Sequence, residues 1–223
     1  MLFRSALQYP HAGHALPGAI VQKHAIAFID VPTRFKKGQT VFYEGSSALH
    51  FYEVVSGTVR TSQLLKDGRR QIDAFHLKGD LFGFEASSLH RVGAEVVEDA
   101  TLRIYQRSQL ERMLAEDAEF AQRVVAAMMH AIERAQSHML LLGRKSALER
   151  IATFLLDMSG RLSEMSHLDL PMSRSDIADH LGLTIETVSR TLTQLERKGV
   201  IELPTHRRSI VLRDRTALRR LDA

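Results

Sequence analysis

The 223-residue chain is 44% hydrophobic and 25% charged, with a net charge of +4 and no cysteine. This balance can bury a core, and the missing thiols exclude disulfides, thiolate zinc sites, iron–sulfur clusters and cysteine catalysis. No segment approaches the roughly 18 uninterrupted apolar residues of a membrane helix, and Met1 to Pro10 lacks the pattern of a signal peptide, so a cytoplasmic protein without a membrane partner is expected.

In chain order, residues 1–22 are rich in Gly, Pro and His without a clean period and read as a loose arm. From Val31 to Arg107 the texture is strand-like, with β-branched and aromatic runs at Thr40–Tyr43, His50–Val55, Thr58–Leu65, Gln71–His76 and Glu95–Tyr105. Breaks fall at Glu44-Gly45, Ser56-Gly57, Asp67-Gly68 and Gly79-Asp80. Asp67-Gly68 predicts a hairpin with a primed turn, and breaks at about ten-residue spacing favour a compact antiparallel sandwich or barrel. A helix without Pro or Gly then runs from Ser108 to Leu142. On it Ala121, Val125, Met128, Ile132, Ala135, Met139 and Leu142 alternate gaps of four and three, the seam of a coiled coil and a homodimer interface. The alternative is a stripe packed on its own β-domain. Gly143-Arg144-Lys145 reads as a hinge. A second amphipathic helix, Ser146 to Leu162, carries Leu148, Ile151, Leu155 and Met158 inward.

Ser173 followed by Asp176 opens a short helix with Ile177, Ala178 and Leu181 inside. Gly182 supplies a tight turn, Leu183 a wedge, and Thr184 caps a second helix with Val188, Leu192 and Leu195 inside. This is a helix-turn-helix. On its other face Glu186, Ser189 and Arg190, at i, i+3 and i+4, cluster on the leading turns, where side chains reach base edges in a major groove. Arg190 can pair bidentately with guanine, Glu186 can accept from a cytosine amino group, and Ser189 can touch thymine, each good pair discriminating by roughly 1–3 kcal/mol. A solvated Glu186–Arg190 salt bridge is the competing reading. Ser173, Thr184, Thr187 and Thr191 offer hydroxyls to the phosphate backbone. Val200–Leu203 and Ser209–Leu212 alternate like a hairpin whose tip would place Arg207 and Arg208 on the same backbone as a basic wing. Thr187 to Arg220 holds nine basic against three acidic residues, a footprint for double-stranded DNA.

The run LGLTIETVSRTLTQLERKGVI closely resembles the helix-turn-helix of the cyclic-AMP receptor protein and fumarate–nitrate regulator superfamily. Glu186, Ser189 and Arg190, with Ile185 in place of a further arginine, look like its FixK-type branch. Gly57-Thr-Val, Asp67-Gly68-Arg69 and Gly79-Asp80-Leu-Phe82-Gly83 resemble its β-roll glycines. The resemblance implies an α+β fold: an N-terminal antiparallel β-roll, cupin-like and cyclic-nucleotide-binding-like, a long dimerisation helix, and a C-terminal winged helix-turn-helix. The corresponding segments are residues 23–117, 118–145 and 146–223. It implies a transcription regulator, an activator rather than an enzyme, reading TTGAT-N4-ATCAA-type palindromes, with RNA polymerase as partner through loops such as Lys66–Arg70 or Glu85–Arg91. The superfamily's nucleotide site places Glu beside the Phe-Gly motif and an Arg-Ser pair further on. Here Phe84 follows Gly83, Glu85 is one place late, and Val92-Gly93 replaces the pair. No cofactor is therefore expected, a β-roll gated by an unidentified effector being the alternative. A cupin-type metal enzyme would need clustered ligands, whereas His50, His76 and His90 are scattered and His11 and His14 lie in the arm.

Overall fold

The computed structural model describes residues 31–162, 166–204 and 209–222; the arm expected at residues 1–22 lies outside them. Six strands form one antiparallel sheet: β1 (Thr33–Phe35), β2 (Thr40–Phe42), β3 (His50–Leu64), β4 (Arg70–His76), β5 (Leu81–Phe82) and β6 (Gly93–Gln106). The path is β1-β6-β3-β4, with β2 also on β6 and β5 on β3. The expected break at Ser56-Gly57 is instead a kink within β3, where the register to β6 shifts at Val54/Ser56 and Ser56/Thr58. Gly57 adopts φ +80°, and a Cβ there would lie 2.4 Å from the Asp99 carbonyl oxygen, so the kink requires glycine. The β3–β4 hairpin turns at Asp67-Gly68, but not by a primed turn. Gly68 N–H donates to Leu65 O at 2.9 Å, Leu65 N–H donates to Arg69 O at 2.8 Å, and Gly68 adopts φ 84°. That is the three-residue loop with a glycine bulge.

The long helix expected from Ser108 is divided. A 3-10 turn and α1 (Leu110–Glu116) precede Asp117, which leaves the helical region (φ −125°, ψ 98°) and caps α2 (Ala118–Arg144) by accepting from Phe120 N–H at 2.9 Å. Of α2, only Phe120, Val124 and Leu141 are buried, the first two beside Phe51 and Leu81 of the β-domain and Leu141 in the C-terminal core. Gly143 continues the helix, and the chain turns at Lys145, whose ammonium holds Asp222 Oδ1 at 2.6 Å.

α3 (Ala147–Arg161) starts from a Ser146/Glu149 capping box and buries Ile151, Leu155 and Met158 as expected. After β7 (His167–Asp169) come α4 (Arg174–Leu181), α5 (Ile185–Arg197), β8 (Ile201–Glu202), β9 (Ser209–Leu212) and α6 (Arg215–Asp222). β7 and α6 have no counterpart in the sequence reading: β7 adds a third strand beside β9, and α6 buries Leu218 in the C-terminal core. That core is not closed within the C-terminal half. Ile72, Phe75 and Val97 of the β-domain belong to the same buried cluster as Leu155, Leu181 and Leu192.

Candidate nucleic-acid interface

α4 begins where Ser173 and Asp176 exchange hydrogen bonds and ends at Gly182, whose φ of 62° turns the chain into α5. Thr184 caps α5 by accepting from Thr187 N–H at 3.2 Å. Val188, Leu192 and Leu195, at 2% exposure or less, fix the roll of α5 about its axis. This roll leaves Glu186 and Arg190 exposed and Ser189 half-exposed on the leading turns. Arg190 reaches towards Thr187 Oγ1 at 3.5 Å, not into an ion pair with Glu186. The Glu186 carboxyl is held below its usual range by its own backbone N–H and the Thr184 hydroxyl, with the Arg190 charge adding to the effect. The arrangement offers an ionised acceptor, a hydroxyl and a guanidinium side by side on a helix anchored from behind.

The backbone-contact residues fare unevenly. Thr184 is exposed and Thr187 half-exposed, their hydroxyls 3.1 Å apart. Ser173 is half-buried and its hydroxyl works inward, accepting from Asp176 N–H and donating to Asp176 Oδ2. Thr191, expected on the phosphate-facing side, is instead 6% exposed, because three residues beyond Val188 it falls on the buried stripe. Arg207 and Arg208 lie outside the described residues; of the strands expected to flank them, β8 and β9 do pair, Ile201 opposite Leu212.

A residue missed in the sequence is Arg174, at the first position of α4, with Nη1 3.4 Å from Ser189 Oγ. A cation there opposes the helix dipole, so a position chosen for stability alone would favour an acid. That conflict was the available signal.

On α2, Val125, Met128, Ile132 and Met139 are between 41% and 67% exposed, and Ala135 is exposed too. The stripe does not pack on its own β-domain; Phe120 and Val124 do that. Leu142 departs from the seam: it is half-buried against the C-terminal core, its Cδ2 next to Gly182.

Two family descriptions match the chain: a cyclic nucleotide-binding domain over residues 32–117 and a Crp-like helix-turn-helix domain over residues 149–221. The chain is 48% identical over 203 residues to the nitrogen fixation regulation protein FixK of Azorhizobium caulinodans, covering 89% of this chain and 82% of that one. To the transcriptional activator protein FnrA of Stutzerimonas stutzeri it is 32% identical over 200 residues, covering 86% and 82%. The structure of FixK2 from Bradyrhizobium japonicum superposes with a TM-score of 0.79 at 48% identity, covering 86% of this chain and 98% of that one. The residues present do not fit a cyclic nucleotide. Val92-Gly93 offers no guanidinium to a phosphate, and the Glu85 carboxylate, 5% exposed, already accepts from the Arg91 backbone and side chain at 3.1 and 3.2 Å. Phe84, where the nucleotide-binding members carry the acid, stacks on Phe51 with ring centroids 4.9 Å apart. Among the described residues no helix is long and apolar enough to cross a membrane. The chain is a DNA-binding transcription regulator, not an enzyme, and belongs to the Crp/Fnr family.

Proposed function

We propose that the chain acts in the cytoplasm as a homodimeric activator that binds a TTGA-type palindrome without a small-molecule effector and engages RNA polymerase. The observation that carries this is the exposed set Glu186, Ser189 and Arg190 on the leading turns of a helix whose opposite face is buried. Those three residue types match the donor and acceptor pattern of a G·C pair beside a thymine. The exposed stripe Val125, Met128, Ile132, Ala135 and Met139 supports a paired helix, which would set two α5 helices about 34 Å apart, one turn of duplex. Independence of effector is supported by the engaged Glu85 and by Val92-Gly93. Thr184 and Thr187, with Arg174 beside Ser189, face the flanking phosphates, Ser173 assists through its place at the start of α4, and Arg207 and Arg208 complete the wing contact. Activation is supported by the kinship to proteins named as activators.

The test is fluorescence anisotropy on a TTGAT-N4-ATCAA duplex and on duplexes changed at single base pairs, without added metabolite. The unmodified chain is expected to prefer the intact palindrome, and Arg190→Ala to lose about 1–3 kcal/mol of discrimination at one G·C pair per half-site. Unchanged discrimination overturns the assignment. Sequence-selective binding only after a metabolite is added overturns effector independence.

A further inference from the structure

Arg60 on β3 and Arg70 on β4 both reach across to the start of α4. Arg60 Nη1 donates to Asp176 Oδ1 at 2.6 Å while its Nη2 donates to Glu95 Oε1 at 2.7 Å. Arg70 Nη2 donates to the same Asp176 Oδ1 at 2.8 Å, and its Nε to Asp179 Oδ2 at 2.9 Å. The other Asp176 oxygen accepts from the Ser173 N–H at 3.0 Å and hydroxyl at 2.8 Å. One carboxylate therefore starts a helix of the DNA-binding domain and receives two guanidinium groups from the β-domain. The side chains of Asp176 and Arg60 are only 7% and 12% exposed. Two neutral bonds run alongside: Gln71 Nε2 donates to His180 O at 3.2 Å, and His180 Nδ1 donates to Ile72 O at 3.1 Å.

We propose that Arg60 and Arg70 are positioning residues for DNA binding, a latch that fixes the helix-turn-helix on the β-domain in the orientation a palindrome requires. This rests on the dimeric DNA-binding reading above. Apolar burial is non-directional, so the shared cluster of Ile72, Phe75 and Val97 with Leu181 does not by itself select one rotation of α4. The charged hydrogen bonds do, because planar guanidinium forks accept only a narrow range of carboxylate positions. Buried ion pairs are also weak sources of net stability and are best attested as devices that select one arrangement. The latch leaves the reading face free: Asp176 is buried against β4, whereas Glu186 and Arg190 are exposed on α5. A latched chain is therefore competent for DNA, with the orientation built into its own side chains.

The experiment uses full-length Arg60→Gln, Arg70→Gln, the double variant and Arg70→Lys. Hydrogen exchange reads the α4 and β4 amides, and anisotropy reads three duplexes: the palindrome, the palindrome with three extra central base pairs, and a single half-site. Arg70→Gln is expected to raise exchange in α4 and weaken palindrome binding about ten-fold, with half-site affinity and single-base discrimination unchanged. Arg70→Lys, which keeps the charge but lacks the planar fork that bridges Asp176 and Asp179, restores little of the palindrome affinity, and the extra-base-pair duplex loses its disadvantage in the double variant. Should the double variant fail to fold, Arg70→Gln, at a partly exposed side chain, decides alone. Unchanged exchange, unchanged palindrome affinity, or equal losses on palindrome and half-site would each overturn the latch. A wild-type chain with no preference for the palindrome refutes the dimeric reading and this proposal with it, and that failure is visible before any substitution is made.

Discussion

Ile132→Glu tests the proposed dimer without touching the fold of one chain. Ile132 is 53% exposed at the middle of α2, between Met128 at 41% and Met139 at 67%. Burying an isoleucine completely stabilises by about 1.5–3 kcal/mol, so covering its open half is worth about 1–1.5 kcal/mol per protomer and about 2–3 per symmetric pair. Glutamate removes that gain and requires two carboxylates to lose water at facing positions, so a total penalty of about 4 kcal/mol is a conservative figure. At about 1.4 kcal/mol per factor of ten, the dimer dissociation constant should rise about a thousand-fold. Sedimentation velocity across a concentration series measures this directly. Circular dichroism should stay unchanged, because α2 is held to its own chain by Phe120, Val124 and Leu141. Palindrome affinity falls with the dimer, while half-site affinity persists. Ser137→Glu, on the same helix but off the seam, is the control. If Ile132→Glu sediments like the parent, the exposed stripe is not the interface.

Thr184→Ala removes the acceptor of Thr187 N–H and should cost about 1 kcal/mol by urea unfolding, with a smaller effect on base discrimination than Arg190→Ala. Gly57→Ala should cost more than Gly68→Ala in the same assay: both glycines have φ above 80° or at it, but a Cβ at Gly57 meets Asp99 O and Ala100 Cα, whereas nothing lies within 4 Å at Gly68. Burial lowers His76 to about 4 and His180 to about 3, from 6.5 in the unfolded chain. The unfolded state therefore binds these protons first, so their neutral forms stabilise fully above about pH 6.5 and progressively less as pH falls towards 4. The urea midpoint should drop between pH 7.5 and pH 5, and a flat midpoint would refute the assignment of these rings as buried and neutral.

The parts legible in the sequence were those written in local periods and caps. Ser173, Gly182 and Thr184 mark both helices of the reading motif, and the 3.6 period placed Val188, Leu192 and Leu195 inside. The same period buries Thr191, although its hydroxyl alone suggests an outward, phosphate-facing place. No Gly or Pro near Asp117 signals a break, yet an acid that can accept from Phe120 N–H competes with the helix it interrupts. Ser56-Gly57 looked like a strand end because a kinked strand and a turn use the same residue. Arg60 and Asp176 lie 116 positions apart. No spacing rule joins them, and only the packing of α4 on β4 reveals the pair.

β3 gives that pair its mechanical meaning. Seven residues before Arg60, Glu53 lies on the same strand and receives Arg103 Nη1 at 2.9 Å, Tyr105 Oη at 2.7 Å and the guanidinium of Arg123 from α2. Burial works against the Glu53 charge, but Tyr105, Arg123 and Arg103 outweigh it and hold its carboxyl below the usual range. One strand thus ties down the start of the helix proposed to pair two chains and the start of the helix that precedes the reader. The two charged ties, on either side of the Gly57 kink, link the placement of the two helices through one strand. In such a chain the β-domain needs no ligand to matter for DNA binding, because removing it would strip Ile72 and Phe75 from the core beneath α4 and free both helices at once.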